Sequence, residues 1–529
     1  MNLGTLDLGI LAVYAAVLFL IAIWVSREPK GHTRSTEDYF LAGRALPWWA
    51  IGASLIAANI SAEQIIGQSG QGFVVGLAIA AYEWQAAIVL LIVAKYFLPI
   101  FLKRGIYTMP QFLETRYGGG VKALMSVYWI LLYTAVNLTA VLWLGGLAIE
   151  SLTGANVFLA MCGLAAFAVL YSLYGGLKAV ALTDIIQVVI LIVGGFIITW
   201  IALDLVGGQA GPIAGLQRLA GEVPGHFEMI LSPEHPSYSD LPGIWTLLGG
   251  LWVLHFSYWG FNQYIIQRAL GAENLAEAQK GLALAAGLKL LVPVIVVLPG
   301  IAALVLAGDN VLSGAVLEEK SDRTYGELMK LAPEGLRGLV FAALIAAIIS
   351  SLASMMNSIS TIFTMDIYRD YIARGKTERH YVTVGRIAAL SAMLLALVLA
   401  RPFLGGMESA FQTIQEYTGF IAPGVVAIFL LGFYFRRMNT PGAFAVLIGS
   451  VLASLAMKFG LPDMPFVLRI WLVFMAIVAL GILVSLLTKP PAPQQPVDLG
   501  DIAVKTSPAF NIAGIAIVAV LALIYIAFW

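Results

Sequence analysis

Residues 46–70 read LPWWAIGASLIAANISAEQIIGQSG. This stretch has the length and apolar flanks of a membrane-crossing helix, yet its middle carries Ser54, Asn59, Ser61, Glu63, Gln64 and Gln68. Polar groups at bilayer depth are costly and face a cavity or a partner. A helix that breaks there frees backbone carbonyls, which can ligate an ion. The chemistry expected is coordination of an ion and a small solute, not bond breaking.

A second interrupted stretch follows at 243–267, with His255, Ser257, Tyr258, Asn262 and Gln263 in its middle and Gly260 in the run. Lys289 lies some ten residues into its own apolar run, which at about 1.5 Å per residue places it near mid-bilayer. Glu83, Asn137, Gln415 and Glu416 also fall inside apolar runs. Amides, a carboxylate and an ammonium form a mixed donor and acceptor set. Such a set suits a neutral, hydroxyl-rich ligand better than an amino acid, because no cluster is assigned to a free carboxylate.

Each of these residues has a plainer reading. A buried Asn137 can be helix–helix glue. Glu83 and Lys289 can be an ion pair holding two helices. Lys95 can snorkel to an interface. Asp184 and Arg268, near helix ends, read as a cytoplasmic ion pair. Tyr258 and Trp259 can be packing aromatics, or can stack on a ligand and close the site from inside. The run FAALIAAIISSLASMMNSIS (341–360) is rich in small residues, as close helix packing requires. Beside a broken helix, its Ser350 and Ser351 acquire a second meaning. Sodium is a hard cation needing about five oxygens, by analogy with other hard cations. Two hydroxyls and three freed carbonyls would supply them. HExxH, P-loop and GxSxG patterns do not occur, and the GxG at Gly70 has Val75 where a third glycine belongs.

The elements that must position these groups are membrane helices. Of 529 residues, 60% are hydrophobic and 11% charged, and mean hydropathy is +0.90. Apolar runs near 20 residues long recur from 7–25 to 509–528 and predict an all-α polytopic membrane protein of about fourteen helices. Two interrupted helices separated by about five others predict a five-plus-five inverted repeat. The first repeat is placed at 46–206 and the second at 243–436. They are flanked by an extra helix and loop at 1–45, an external loop at 207–242, and additional helices at 437–529 with a Pro-rich linker at 489–508. Lys and Arg cluster in the loops holding Arg27, Lys30, Arg34 and Arg44; Lys103, Arg104, Arg116 and Lys122; Arg369 to Arg386; and Arg436 and Arg437. These loops share one side, so both termini are expected outside, in a cell (inner) membrane. Zero net charge gives no case for nucleic-acid binding, and the single Cys162 excludes a disulfide within the chain.

The chain resembles the sodium/solute symporter family, and within it the bacterial sodium/galactose (sodium/glucose) branch. The stretches that carry this are TEDYFLAGRALPWWAIGASLIAANISAEQ, YSLYGGLKAVALTDIIQ, YWGFNQYIIQR, SSLASMMNS and FQTIQEYTG. The resemblance implies a LeuT-like core of ten helices whose repeats each begin with a discontinuous helix. It implies that Gln64, Glu83, Lys289 and Gln415 hydrogen-bond sugar hydroxyls and that Asn59 and Asn137 belong to the site and its outer access. Tyr258 would stack under the pyranose ring, with Trp259 beside it. The carbonyls of Ala57, Ile60 and Ala347, with the hydroxyls of Ser350 and Ser351, would hold Na+ as the coupling ion. The chain departs from the sugar-carrying branch at His255, where asparagine is expected, and at Ala86, where serine is expected; a lost hydroxyl contact is worth roughly 1 kcal/mol. The expected activity is sodium-coupled hexose symport across a lipid bilayer by alternating access, with no enzymatic step. The alternatives are symport of an inositol, sugar acid or vitamin, or a sugar-binding membrane sensor. Oligomeric state is left open.

Overall fold

The computed structural model describes residues 3–25, 36–314, 318, 320–407, 410–492 and 504–529. Arg27, Lys30 and Arg34 and most of the Pro-rich linker lie outside the described residues. The described chain is helical apart from loops and one isolated bridge. Its main elements are α1 (Thr5–Val25), α2 (Trp48–Asn59), α3 (Glu63–Val74), α4 (Leu77–Lys103), α5 (Gly119–Thr153), α6 (Val157–Val206) and α7 (244–270). They continue with α8 (Leu275–Gly308), α9 (Leu336–Ile372), α10 (Glu378–Leu404), α11 (Ala410–Tyr434), α12 (Thr440–Gly460), α13 (Phe466–Leu487) and α14 (Pro508–Ala527). Helices are what this composition can form in lipid, because they satisfy their backbone polar groups internally.

Among the described residues, ten helices are long and apolar enough to cross a bilayer, and the bent pair α2–α3 makes an eleventh. Length and composition alone therefore do not reach the expected fourteen. The remaining expected positions fall on the shorter apolar stretches Thr5–Leu18 and Val157–Leu170 and on the interrupted α7. Helical bonding in α6 runs over 50 residues, more than one crossing of a hydrocarbon core of about 30 Å needs at about 1.5 Å per residue. Its contacts show why. Leu164 and Ile348 meet beside Gly145, and Ser172 reaches the Ala353 carbonyl. Asp184 then meets Ser350, and Gly194 packs on Ala343. The partner positions on α9 climb and then fall, so α6 doubles back along α9.

Both expected interruptions are present. Between α2 and α3 the chain bends by 57°, with Ile60 in an extended conformation (φ −75°, ψ 93°). In α7 the break falls at Asn262 (φ −79°, ψ 124°), after a π-helical turn over Phe256–Phe261. Tyr133 on α5 holds that break open: its hydroxyl donates to Asn262 Oδ1 (2.6 Å) and accepts from the Gln263 N–H (2.9 Å). The two broken helices run in opposite directions. The chain entering α2 bridges the chain leaving α7, through Leu46 N–H to the Gly271 carbonyl (3.0 Å) and Glu273 N–H to the Leu46 carbonyl (3.3 Å).

Small residues let these helices approach closely. A Cβ on Gly300 of α8 would lie 2.1 Å from the Ser69 carbonyl of α3, and one on Gly72 would lie 2.5 Å from the Val297 carbonyl. The peripheral α1 is pinned by Asp7. Its carboxylate accepts from the N–H groups of Gly335 (2.7 Å) and Gly338 (2.8 Å) and from Arg337 (2.9 Å), capping the start of α9 from outside that helix.

Candidate functional site

The breaks in α2–α3 and α7 open on one polar cavity, with α4, α5, α8 and α11 as its other walls. Asn59, Gln64, Glu83, Asn137, His255, Tyr258, Trp259, Lys289 and Gln415, all expected from the sequence, line it together. Ala86 is buried and is not among the lining residues. The free volume is ≈ 60 Å³, room for a few waters at about 10–15 Å³ of such space each. A hexose therefore requires these side chains to part.

The wall is a connected network. Lys289 of α8 contacts the Glu83 carboxylate of α4 and the Asn59 amide oxygen, and its ammonium stands 4.9 Å from the centre of the Trp259 ring. The other Glu83 oxygen accepts from Gln68 Nε2 (2.8 Å). The ion-pair reading of Glu83 and Lys289 and the cavity reading thus describe the same two residues. Asn59 donates from its amide nitrogen to the Tyr258 hydroxyl (3.1 Å), which also accepts from Tyr264 (2.5 Å). Gln415 Nε2 donates to Glu63 Oε1 (2.9 Å), bridging α11 to α3. Gln68 Oε1, Asn137 Oδ1, His255 Nε2 and the Tyr82 hydroxyl are buried with no partner in the protein. Stranding a buried polar group costs about 1–3 kcal/mol, so a ligand that reached these four lining residues would relieve that cost.

The sequence reading left Glu63, Gln68, Tyr82, Asn262 and Thr418 without assigned roles, and all of them line the cavity. Glu63 and Gln64 are adjacent and both line the cavity, as the adjacent Tyr82 and Glu83 do. A π-helical turn spans Glu63–Gly67, and nothing in the local sequence announces it.

On the far side of the α2–α3 break, Ser61 N–H donates to Gln64 Oε1 (3.1 Å) instead of returning to the Ala57 carbonyl. Ser351 of α9 donates to the Ala58 carbonyl (3.0 Å), and Ser350 donates to Asp184 Oδ1 (2.5 Å). Ala57, Ile60, Ala347, Ser350 and Ser351 are all buried. α9 is unbroken through Ala347, so that carbonyl, which the resemblance implies as an ion ligand, would bind through its second lone pair. Asp184 and Arg268 do pair (3.5 Å), and Arg268 lies in the last turn of α7. They are buried with Ser54, which bridges them, donating to Asp184 (2.5 Å) and accepting from Arg268 Nε (2.6 Å). The oxygen-rich donor set at the break fits a hard monovalent cation.

The model of the sodium:solute symporter family matches residues 39–449. The chain belongs to that family. The symporter is 49% identical to a sodium/glucose cotransporter of Vibrio parahaemolyticus, over 100% of this chain and 99% of the relative. It is 34% identical to sodium/myo-inositol cotransporter 2 of Mus musculus, over 85% of this chain and 69% of the relative. Its fold is that of a sodium-coupled sialic acid symporter solved in a substrate-bound, outward-open state, with a TM-score of 0.81, 22% identity, and coverage of 92% and 99% of the two chains. The symporter is therefore a secondary transporter with Na+ as its coupling ion, not an enzyme.

Proposed function

We propose that the protein carries a hexose of the galactose or glucose type together with Na+ across a cell (inner) membrane by alternating access. The observation that carries this reading is the cavity at the two helix breaks. Its donors and acceptors alternate around an aromatic pair, Tyr258 and Trp259, and four of its polar atoms have no protein partner. Gln64, Glu83, Lys289, Gln415 and His255 are the ligands for sugar hydroxyls, and Asn59 and Asn137 complete the wall. Ala57, Ile60, Ala347, Ser350 and Ser351 hold the ion. Sodium orders the break against α9, and the ordered break completes the sugar site, so each ligand raises the affinity of the other by the same factor. One Na+ crossing 100 mV releases about 2.3 kcal/mol, and a tenfold gradient adds about 1.4 kcal/mol. The repeats comprise 46–206 and 243–436, with both termini outside, on the side opposite the basic loops.

The experiment is uptake of a labelled sugar panel into proteoliposomes in sodium against choline medium. Sodium-dependent accumulation of galactose or glucose is the expected result. Binding without accumulation would make the protein a sensor. A cyclic polyol is the second reading, raised by the 34% identity to the myo-inositol relative. Stronger competition by myo-inositol than by either hexose would establish it.

A further inference from the structure

The side of α8 turned away from the cavity carries a groove of ≈ 530 Å³. Leu284 and Leu288 of α8 form one wall, and Phe510 and Ile517 of α14 form the other, while Trp48 and Lys280 stand at one end. The last helix packs on the bundle through the buried Phe510, Ile517 and Leu521 and is otherwise mostly uncovered. An apolar slot this size between two lipid-facing helices has the cross-section of an extended hydrocarbon chain, and Trp48 at its mouth is the residue type that sits at headgroup level.

The mouth is basic. Gln279 Nε2 donates to both the Ala94 carbonyl (3.2 Å) and the Lys505 carbonyl (3.3 Å), which draws the chain at Lys95, Lys280 and Lys505 into one junction. Lys505 is exposed. Lys95 lies over the Tyr96 ring at 5.3 Å. Lys280 is 40% exposed and contacts Glu277 (3.0 Å), whose other oxygen accepts from the Trp48 N–H (2.9 Å). Glu273 is the other exposed acid nearby. The N-terminus of the 20-residue α14, capped by Ser507, opens at the same level and adds its positive dipole end.

We propose that this groove holds one acyl chain of an anionic phospholipid, with its phosphate among Lys95, Lys280 and Lys505 at the start of α14. The lipid then adds to the packing between α14 and α8. It also presses on the back of the turn that carries Lys289, since Leu288 lines the groove and Lys289 the cavity.

The test is native mass spectrometry of the full-length protein in detergent, titrated with phosphatidylglycerol and with phosphatidylcholine of the same acyl chains. One phosphatidylglycerol should be retained with at least tenfold preference. Lys280→Gln/Lys505→Gln should bring its retention down to that of phosphatidylcholine, with helical content and elution volume unchanged. Ala513→Trp, which fills the groove, should remove the tightly held lipid whatever its headgroup. Equal retention of the two lipids by the wild-type protein would overturn the proposal. So would a preference that survives the double lysine substitution, or retention unaffected by Ala513→Trp.

Discussion

The pairing of Glu83 with Lys289 admits a decisive double-mutant cycle. Lys289 is 1% exposed and Glu83 2% exposed, and each has neutral partners besides the other. Removing one member of a buried pair leaves an uncompensated charge and costs about 3–5 kcal/mol, whereas replacing both is often neutral. Lys289→Met would leave Glu83 with Gln68 alone, and Glu83→Gln would leave the ammonium with Asn59 and the Trp259 ring. Each single variant should therefore unfold at a clearly lower temperature in detergent. The double variant should recover to within about 1 kcal/mol of the parent. Sugar binding should behave differently. Each lost charge-assisted hydrogen bond to a hydroxyl is worth about 1.5–3 kcal/mol, or about 10- to 150-fold in affinity. All three variants should lose it, including the thermally restored one. A double variant that regains both stability and sugar affinity would reduce the pair to a structural strut and refute its place among the sugar ligands.

Three further perturbations test separate parts of the molecule. Ser351→Ala deletes a hydroxyl that donates to the Ala58 carbonyl. It should abolish the sodium stimulation of uptake while costing only about 1 kcal/mol of stability, and normal sodium dependence would remove Ser351 from the ion site. Gly300→Ala puts a methyl 2.1 Å from the Ser69 carbonyl and should destabilise by about 1–3 kcal/mol through overpacking; unchanged thermal unfolding would contradict the close α3–α8 approach. Burial pushes the Asp322 carboxyl in the α8–α9 loop up to about 6, against the lowering effect of a hydrogen bond from the Ala410 N–H. The docked loop then takes up its proton at higher pH than the undocked one. Docking is strengthened as pH falls from 7 towards 4 and weakened as pH rises through 6. Hydrogen exchange across 320–332 should slow with acidification beyond its intrinsic pH dependence, and Asp322→Asn should flatten that extra slope.

Much of the site is legible in the sequence because of where its polar residues fall. Asn59 and Gln64 sit where a continuous apolar helix has no use for them, and the same logic finds His255, Tyr258 and Lys289. Breaks announce themselves because lipid penalises unpaired groups so heavily. What stays illegible depends on local winding and on distant partners. The π-helical turn over Glu63–Gly67 has no residue signature. The burial of Asp184 with Ser54 and Ser350 depends on partners 130 and 166 positions away, which composition does not show.

Asp7 gives the first helix a duty that its apolar sequence conceals. By neutralising the amide end of the very helix that bears Ser350 and Ser351, a side chain some 340 positions upstream sets where the serines proposed for the cation begin their descent. A chain shortened past residue 25 would retain every residue around the solute and yet lose the anchor of its ion-binding strut. Homologous scaffolds trimmed to ten core helices should therefore bind sodium poorly before they bind sugar poorly.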